Sequence, residues 1–212
     1  MASIRSVARA ALLALGIASA AVGQAQTFGS SGGTPVSLIS APGSFNPTWF
    51  GSAADYSGLF DLSSLLRGAE LSISGPAQLE FTLAGFEASY NNAFVVGDQQ
   101  LNNRLGGESQ LGSTFSFRQQ SAGPLSFGFL SNGLGSLLQN GFAQVGVFLS
   151  QDRQHALIAF NDSFRGDADF DDMLVHVSIT PVPEPETALL WLAGLAGLGG
   201  WLRHRRGARQ VV

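Results

Sequence analysis

The chain has 212 residues, with no cysteine and no lysine; all eleven basic residues are arginine, and glycine (27) and phenylalanine (16) are abundant. Without cysteine there is no disulfide framework, no thiolate metal site and no cysteine nucleophile. Between Thr27 and Thr180, thirteen acidic residues stand against five arginines, a net of −8 where the whole chain carries −4, and so acidic a body excludes nucleic acid as a partner because phosphates must be met by Lys or Arg.

The N-terminus has three parts. Arg5 and Arg9 are followed by an uncharged, Ala- and Leu-rich run from Ala10 to Ala21, and then by the small residues Gly23 and Ala25 on either side of Gln24. A positive flank, a short apolar run and a small-residue exit form the layout of a cleavable secretory signal, so residues 1–25 are expected to be a signal helix. An exported body of about 155 residues is one domain by size and buries a core without staples.

The segment from Thr27 to Gly51 is rich in Gly, Ser and Pro, with Phe45, Trp49 and Phe50 available for packing or for a ligand. Tyr56 to Arg67 carries Leu59, Phe60, Leu62, Leu65 and Leu66, a mixed pattern that suggests one or two helical turns. From residue 68 onward the pattern has period two. Leu71 and Ile73 alternate with serines, Leu79, Phe81 and Leu83 with Glu80 and Thr82, Phe115 and Phe117 with Ser116 and Arg118, and Leu125, Phe127 and Phe129 with Ser126 and Gly128. Val145, Val147 and Leu149 follow, then Ala156 to Phe160, then Met173, Val175, Val177 and Ile179. Strict alternation between turn residues marks half-buried antiparallel strands. The body, residues 26–181, is therefore expected to be all-β, an antiparallel β-sandwich or jelly-roll-like domain with its phenylalanine stripes in the core. Asn91 to Gly112, polar and rich in Asn, Gln and Gly, reads as a long loop, and Leu134 to Gln139 is too short to assign.

One stretch carries chemistry. Asn161 to Asp172 holds Asp162, Asp167, Asp169, Asp171 and Asp172 between two strands. Asp167, Asp169 and Asp171 have the D-x-D-x-D spacing that opens a calcium loop, and hard carboxylate oxygens suit Ca²⁺. An EF-hand would place Gly where Asp172 stands, Glu where Ser178 stands, and a helix afterwards; a strand follows instead. The alternative is a solvated acidic hairpin with Phe170 and Met173 in the core. Phe160 to Val177 resembles a segment near the end of exported DUF4114-like β domains, and that resemblance implies a calcium-binding acidic loop.

Other chemistry is missing. His155 falls in a turn, His176 alternates with apolar residues, and His204 lies near the C-terminus. There is no G-x-S-x-G elbow, H-E-x-x-H helix or phosphate loop, and no carboxylate has the context of a glycosidase pair.

The C-terminal 182–212 segment has its own order. Val182-Pro183-Glu184-Pro185 is extended by its prolines. An uncharged run from Ala188 to Leu202 follows, with Trp191 and Trp201 towards its ends, and then Arg203, Arg205 and Arg206 around His204. A single hydrophobic helix with interfacial tryptophans and a cytoplasmic arginine cluster is expected here, short of the roughly 30 Å of a bilayer core. The motif, the short span and the arginines resemble the PEP-CTERM sorting domain. That resemblance implies an exosortase-type sorting enzyme as partner, passage through the inner membrane, and a final place in the envelope, on the cell surface or in the extracellular matrix. Three functions follow as expectations. The first is a non-enzymatic envelope or matrix protein, its body calcium-stabilised. The second is an exopolysaccharide-binding module, and the third, least favoured, is a glycan hydrolase.

Overall fold

The computed structural model describes residues 25–36, 56, 58–63, 65–86, 90–103, 111–132, 135–163, 169–181 and 191–201. By its contacts the chain divides into two units, Gln26–Pro181 and a second made of the two terminal segments.

The first unit contains twelve strands among its described residues: β1 (Phe28–Val36), β2 (Leu65–Ile73), β3 (Ala77–Gly85), β4 (Asn92–Val96), β5 (Gln99–Asn102), β6 (Thr114–Gln119), β7 (Gly123–Pro124), β8 (Gly128–Ser131), β9 (Leu137–Gln139), β10 (Val145–Leu149), β11 (His155–Phe160) and β12 (Met173–Pro181). They form two antiparallel sheets. The larger runs β1-β2-β10-β11-β12-β3-β6, with the short β7 also on β2, and the smaller runs β5-β4-β8-β9.

Period-two alternation turns one side of each sheet towards the other. Leu71, Ile73, Leu79, Phe81, Leu83, Val145, Val147, Ile158, Phe160, Val175 and Val177 of the large sheet meet Phe94, Val96, Leu101, Phe129 and Leu138 of the small one. Phe129 and Phe160 lie face to face, 2° from parallel with ring centres 4.4 Å apart. Phe94 is in ring contact with Phe81, Phe127 and Phe129. Burying an aromatic or aliphatic side chain of this size stabilises by roughly 1.5–3 kcal/mol, so this shared core holds the two sheets together as a β-sandwich.

The back of the large sheet is apolar over part of its area. Leu65, Phe148, Leu157, Ala159 and Leu174 form a second cluster there, covered by Tyr56, Phe60 and Phe170. This explains why β10 and β11 read as nearly continuous apolar runs: both of their faces are buried.

Several expectations need correction. Leu65, Leu66 and Arg67 are not helical: they open β2, pairing with Val36, Pro35 and Thr34. The helix reading failed because Leu65 and Leu66 point to opposite faces, and both faces of this sheet are apolar. Asn91 to Gly112 is not one long loop, since β4 and β5 form a hairpin within it through Gly97 and Asp98. Gly97 takes a φ of +61°, as a two-residue hairpin turn demands. Leu137–Gln139 forms β9 on the edge of the small sheet. The Gly/Ser-rich start of the body is strand β1, which shields its exposed edge with Gly32 and Gly33, both at positive φ, and with Pro35.

Candidate functional site

The acidic segment leaves β11 at Phe160 and re-enters the sheet at Met173. Asp167 lies outside the described residues, with the rest of 164–168. Of the other carboxylates, Asp162 (4% exposed), Asp169 (8%) and Asp171 (3%) are buried, so the described ends of the segment are not solvated. Phe170, between two of them, is also buried, although its φ of +61° is unusual for a bulky residue. Its ring sits 5.9 Å from the Arg67 guanidinium carbon, within cation–π range.

The two ends of the segment are joined. The Asp162 backbone N–H donates to Asp172 Oδ2 at 2.8 Å, and Ser163 N–H donates to Asn161 Oδ1 at 2.8 Å. Asn161 N–H reaches back to the Gln144 carbonyl at 2.9 Å. A side chain from the other sheet then enters: Asn92, the first residue of β4, donates Nδ2–H to Asp162 Oδ2 at 2.8 Å. Asn92 is itself held by Asn103, whose Oδ1 accepts the Asn92 backbone N–H at 2.7 Å and whose Nδ2–H donates to the Tyr90 carbonyl at 3.3 Å. Asn92 is 1% exposed, and its Oδ1 has no hydrogen-bond partner. An orphaned carbonyl oxygen at that depth is costly, and such atoms call for an explanation.

Among the described residues, no group of three or more His, Asp or Glu side chains is arranged to hold a metal ion. In the described part of the segment, the Asp162 and Asp172 carboxylates accept hydrogen bonds where the two sheets meet. The sequence pointed to the aspartates but not to Asn92 or Asn103. The available signal was the Gly97-Asp98 hairpin turn, which places Asn92 and Asn103 near each other at the open end.

A second polar group lies on the back of the large sheet. His155 Nδ1 is 3.1 Å from His176 Nε2, and Tyr56 packs on His176 with ring centres 4.8 Å apart. His155 opens β11 rather than sitting in the turn before it. A cleft of about 200 Å³ lies elsewhere, lined by Glu70, Ser126, Phe127, Gln139 and Asn140. The Asn140 amide is occupied there: it accepts from Leu71 N–H and donates to the Leu71 and Leu125 carbonyls.

In the C-terminal unit the described residues form a helix, α1, over 191–201. Its Trp191, Leu192, Leu195, Leu198 and Trp201 are all exposed, and an apolar helix with no buried face is not made for a water-soluble core. No helix among the described residues is long and apolar enough to cross a membrane. Val182, Pro183, Glu184, Pro185, Arg203, Arg205 and Arg206 lie outside the described residues, as does the expected signal helix.

Residues 181–206 match the PEP-CTERM protein-sorting motif. The chain is a PEP-CTERM sorting motif-containing protein. The motif takes in the proline-flanked Glu184, α1 and the first arginines of the tail. A PEP-CTERM signal makes this an exported, envelope-associated protein processed by an exosortase-type sorting enzyme. No curated protein and no solved structure matches the chain.

Proposed function

We propose that the Gln26–Pro181 sandwich is the cargo of this sorting signal, a non-enzymatic structural domain released into the envelope or extracellular matrix after passing through the inner membrane. The observation that carries the reading is the PEP-CTERM motif at residues 181–206, behind a compact β body. Two features support a structural role. The buried aspartates and asparagines take part in hydrogen bonds that join strands and sheets, and the body's strongly acidic charge favours solubility and contact with cations or neutral polymers.

The test is made in cells of a host that carries an exosortase. Wild-type chain is expected to yield a shortened body outside the inner membrane. A Pro183→Ala, Pro185→Ala double variant, or loss of the exosortase, is expected to leave full-length chain in the membrane fraction. Equal processing in all three strains would overturn the sorting step as the route. Turnover of a polysaccharide or ester by the purified chain would overturn the non-enzymatic assignment.

Two finer readings each have one supporting observation. Calcium stabilisation is favoured by the orphaned Asn92 Oδ1 beside Asp162, since a bound cation would satisfy it. Exopolysaccharide binding is favoured by the 200 Å³ cleft, where Glu70, Ser126 and Gln139 offer polar groups over Phe127. Retention of the chain on a neutral exopolysaccharide, lost in Glu70→Ala, would establish the second.

A further inference from the structure

We propose that His155 and His176 form an acid-sensitive latch, which keeps Tyr56 and Phe60 packed on the back of the large sheet and lets them go when the pair takes up a second proton. This goes beyond the structural role above and does not depend on it.

His155 stands opposite Ser178 and His176 opposite Leu157, so the two imidazoles occupy neighbouring rows on one face of adjacent strands. The rings are 15° from parallel with centres 5.2 Å apart. The 3.1 Å between His155 Nδ1 and His176 Nε2, plus the reach of each nitrogen from its own ring centre, accounts for that spacing. The rings therefore lie edge to edge, with the two nitrogens on the line between them. Such an arrangement holds one hydrogen: one nitrogen donates and the other accepts. It is satisfied when the pair is neutral and when it carries one proton in excess. A second excess proton sets N–H against N–H and brings two positive charges together.

Among the described residues, the surroundings give that proton no relief. Tyr56 lies 4.8 Å from the His176 ring centre, and Phe60 meets it edge-on at 6.2 Å. Both are buried in the second apolar cluster. Burial, with the charge of His155 adding to it, pushes His176 down to about 4. Among the described residues, the charge that acts on His176 is that of His155, and the carboxylate coupled to the pair is Asp152, through His155. Asp152, in the turn before β11, is held below the usual carboxylate range by Ser150 and Gln154, and the His155 charge contributes to this. Glu80 is exposed on β3 opposite Ser178. Asp61, beyond Phe60, is bound by Ser63, and Arg153 is exposed in the Asp152 turn. Tyr56 is pushed up by burial and stays neutral. The strain of a doubly charged pair is therefore relieved by exposing His176, which requires Tyr56 and Phe60 to move away.

The test is a pH titration of the full chain in detergent micelles, followed by NMR of the imidazole nitrogens and of ring contacts between Tyr56 and His176. Three histidines and two tyrosines make the spectra assignable. The Tyr56–His176 contacts are expected to survive the first protonation of the pair and to vanish together with the second, near pH 4. His155→Gln, which keeps a donor but removes the first charge, is expected to move the His176 midpoint to higher pH. His176→Phe is expected to keep Tyr56 packed throughout. Contacts that persist after both imidazoles are charged would overturn the proposal. So would a His176 midpoint in His155→Gln that does not move, a readout that stands even where His176→Phe fails to fold.

Discussion

Asn92 on β4 and Asp162 after β11 are joined by one buried hydrogen bond of 2.8 Å, and it links the small sheet to the loop that closes the large one. Removing one partner of a buried hydrogen bond leaves the other unsatisfied, at a cost of about 1–3 kcal/mol. Asn92→Ala is expected to destabilise the body by about 2 kcal/mol, and Asp162→Ala by a similar amount. The double variant should cost clearly less than the two together, because each single change strands the partner that remains. Chemical denaturation of the four proteins measures this. Strict additivity would mean that the two residues do not act on each other.

The orphaned Asn92 Oδ1 gives the calcium reading its test. In millimolar Ca²⁺ the wild-type chain is expected to melt at a higher temperature than in EDTA, as any ligand that binds only the folded state requires. Asn92→Ala and the Asp169→Ala, Asp171→Ala double variant should both lose that difference. Identical wild-type melts in Ca²⁺ and EDTA would leave the aspartates as hydrogen-bond acceptors alone.

The strands that alternate cleanly were legible. Leu79, Phe81 and Leu83 of β3, and Val175 and Val177 of β12, are buried on one face because their neighbours are polar and a side-chain period of two leaves no other register. What escaped had physical reasons. Leu65 and Leu66 sit where the large sheet is apolar on both sides, so adjacent leucines looked like a helix. Asn92 and Asn103 read as loop residues because buried asparagines carry no hydrophobic signal; only the tertiary hydrogen bonds to Asp162 and Tyr90 define their place. The aspartates were visible as a cluster, but their burial was not, since exposure depends on the sheet that covers them. The histidine pair was invisible because its members lie 21 residues apart and meet only through the β11–β12 register.

The face-to-face pair Phe129 and Phe160 packs directly between the two sheets, and both rings are fully buried. Phe160→Ala is expected to cost about 3–5 kcal/mol, through lost burial and the cavity left behind. Phe115→Ala on the edge strand β6, only partly buried, should cost less than half of that. A calorimetric comparison of the two variants checks the ranking, and an equal loss would mean that the sandwich does not depend on this stack.

Gly146 on β10 has no room for a side chain. A Cβ there would lie 2.5 Å from both terminal carbons of Leu65, which is fully buried in the second cluster. Gly146→Ala is expected to destabilise by about 1–3 kcal/mol through overpacking. In a Leu65→Ala background, where that space is open, Gly146→Ala should cost less, and this reduced cost is the recovery expected. Denaturant midpoints of the single and double variants decide it; no recovery would place the strain elsewhere.

The depressed His176 also fixes the sign of an acid effect on global stability. Its folded value of about 4 lies below the ordinary 6.5, so the unfolded chain takes up the proton first. Between those two values the unfolded state binds more protons, and stability rises with pH. The contribution is therefore complete above pH 6.5, declines as pH falls, and is exhausted below about 4. At 1.36 kcal/mol per unit it amounts to at most about 3 kcal/mol. Carboxylates act in a different window. Asp152 and Asp61 are both held below their ordinary 3.8 by hydrogen bonds from serines and backbone N–H groups, so what they contribute is present above that value and lost only as pH falls below it. Unfolding free energies at pH 7, 5.5 and 4.5 separate the two, because the His176 contribution is lost across that range and those of Asp152 and Asp61 only below it. Wild type is expected to weaken over these three points by more than His176→Phe does. Parallel curves for the two proteins would show that the imidazole is as free to charge in the fold as it is in water.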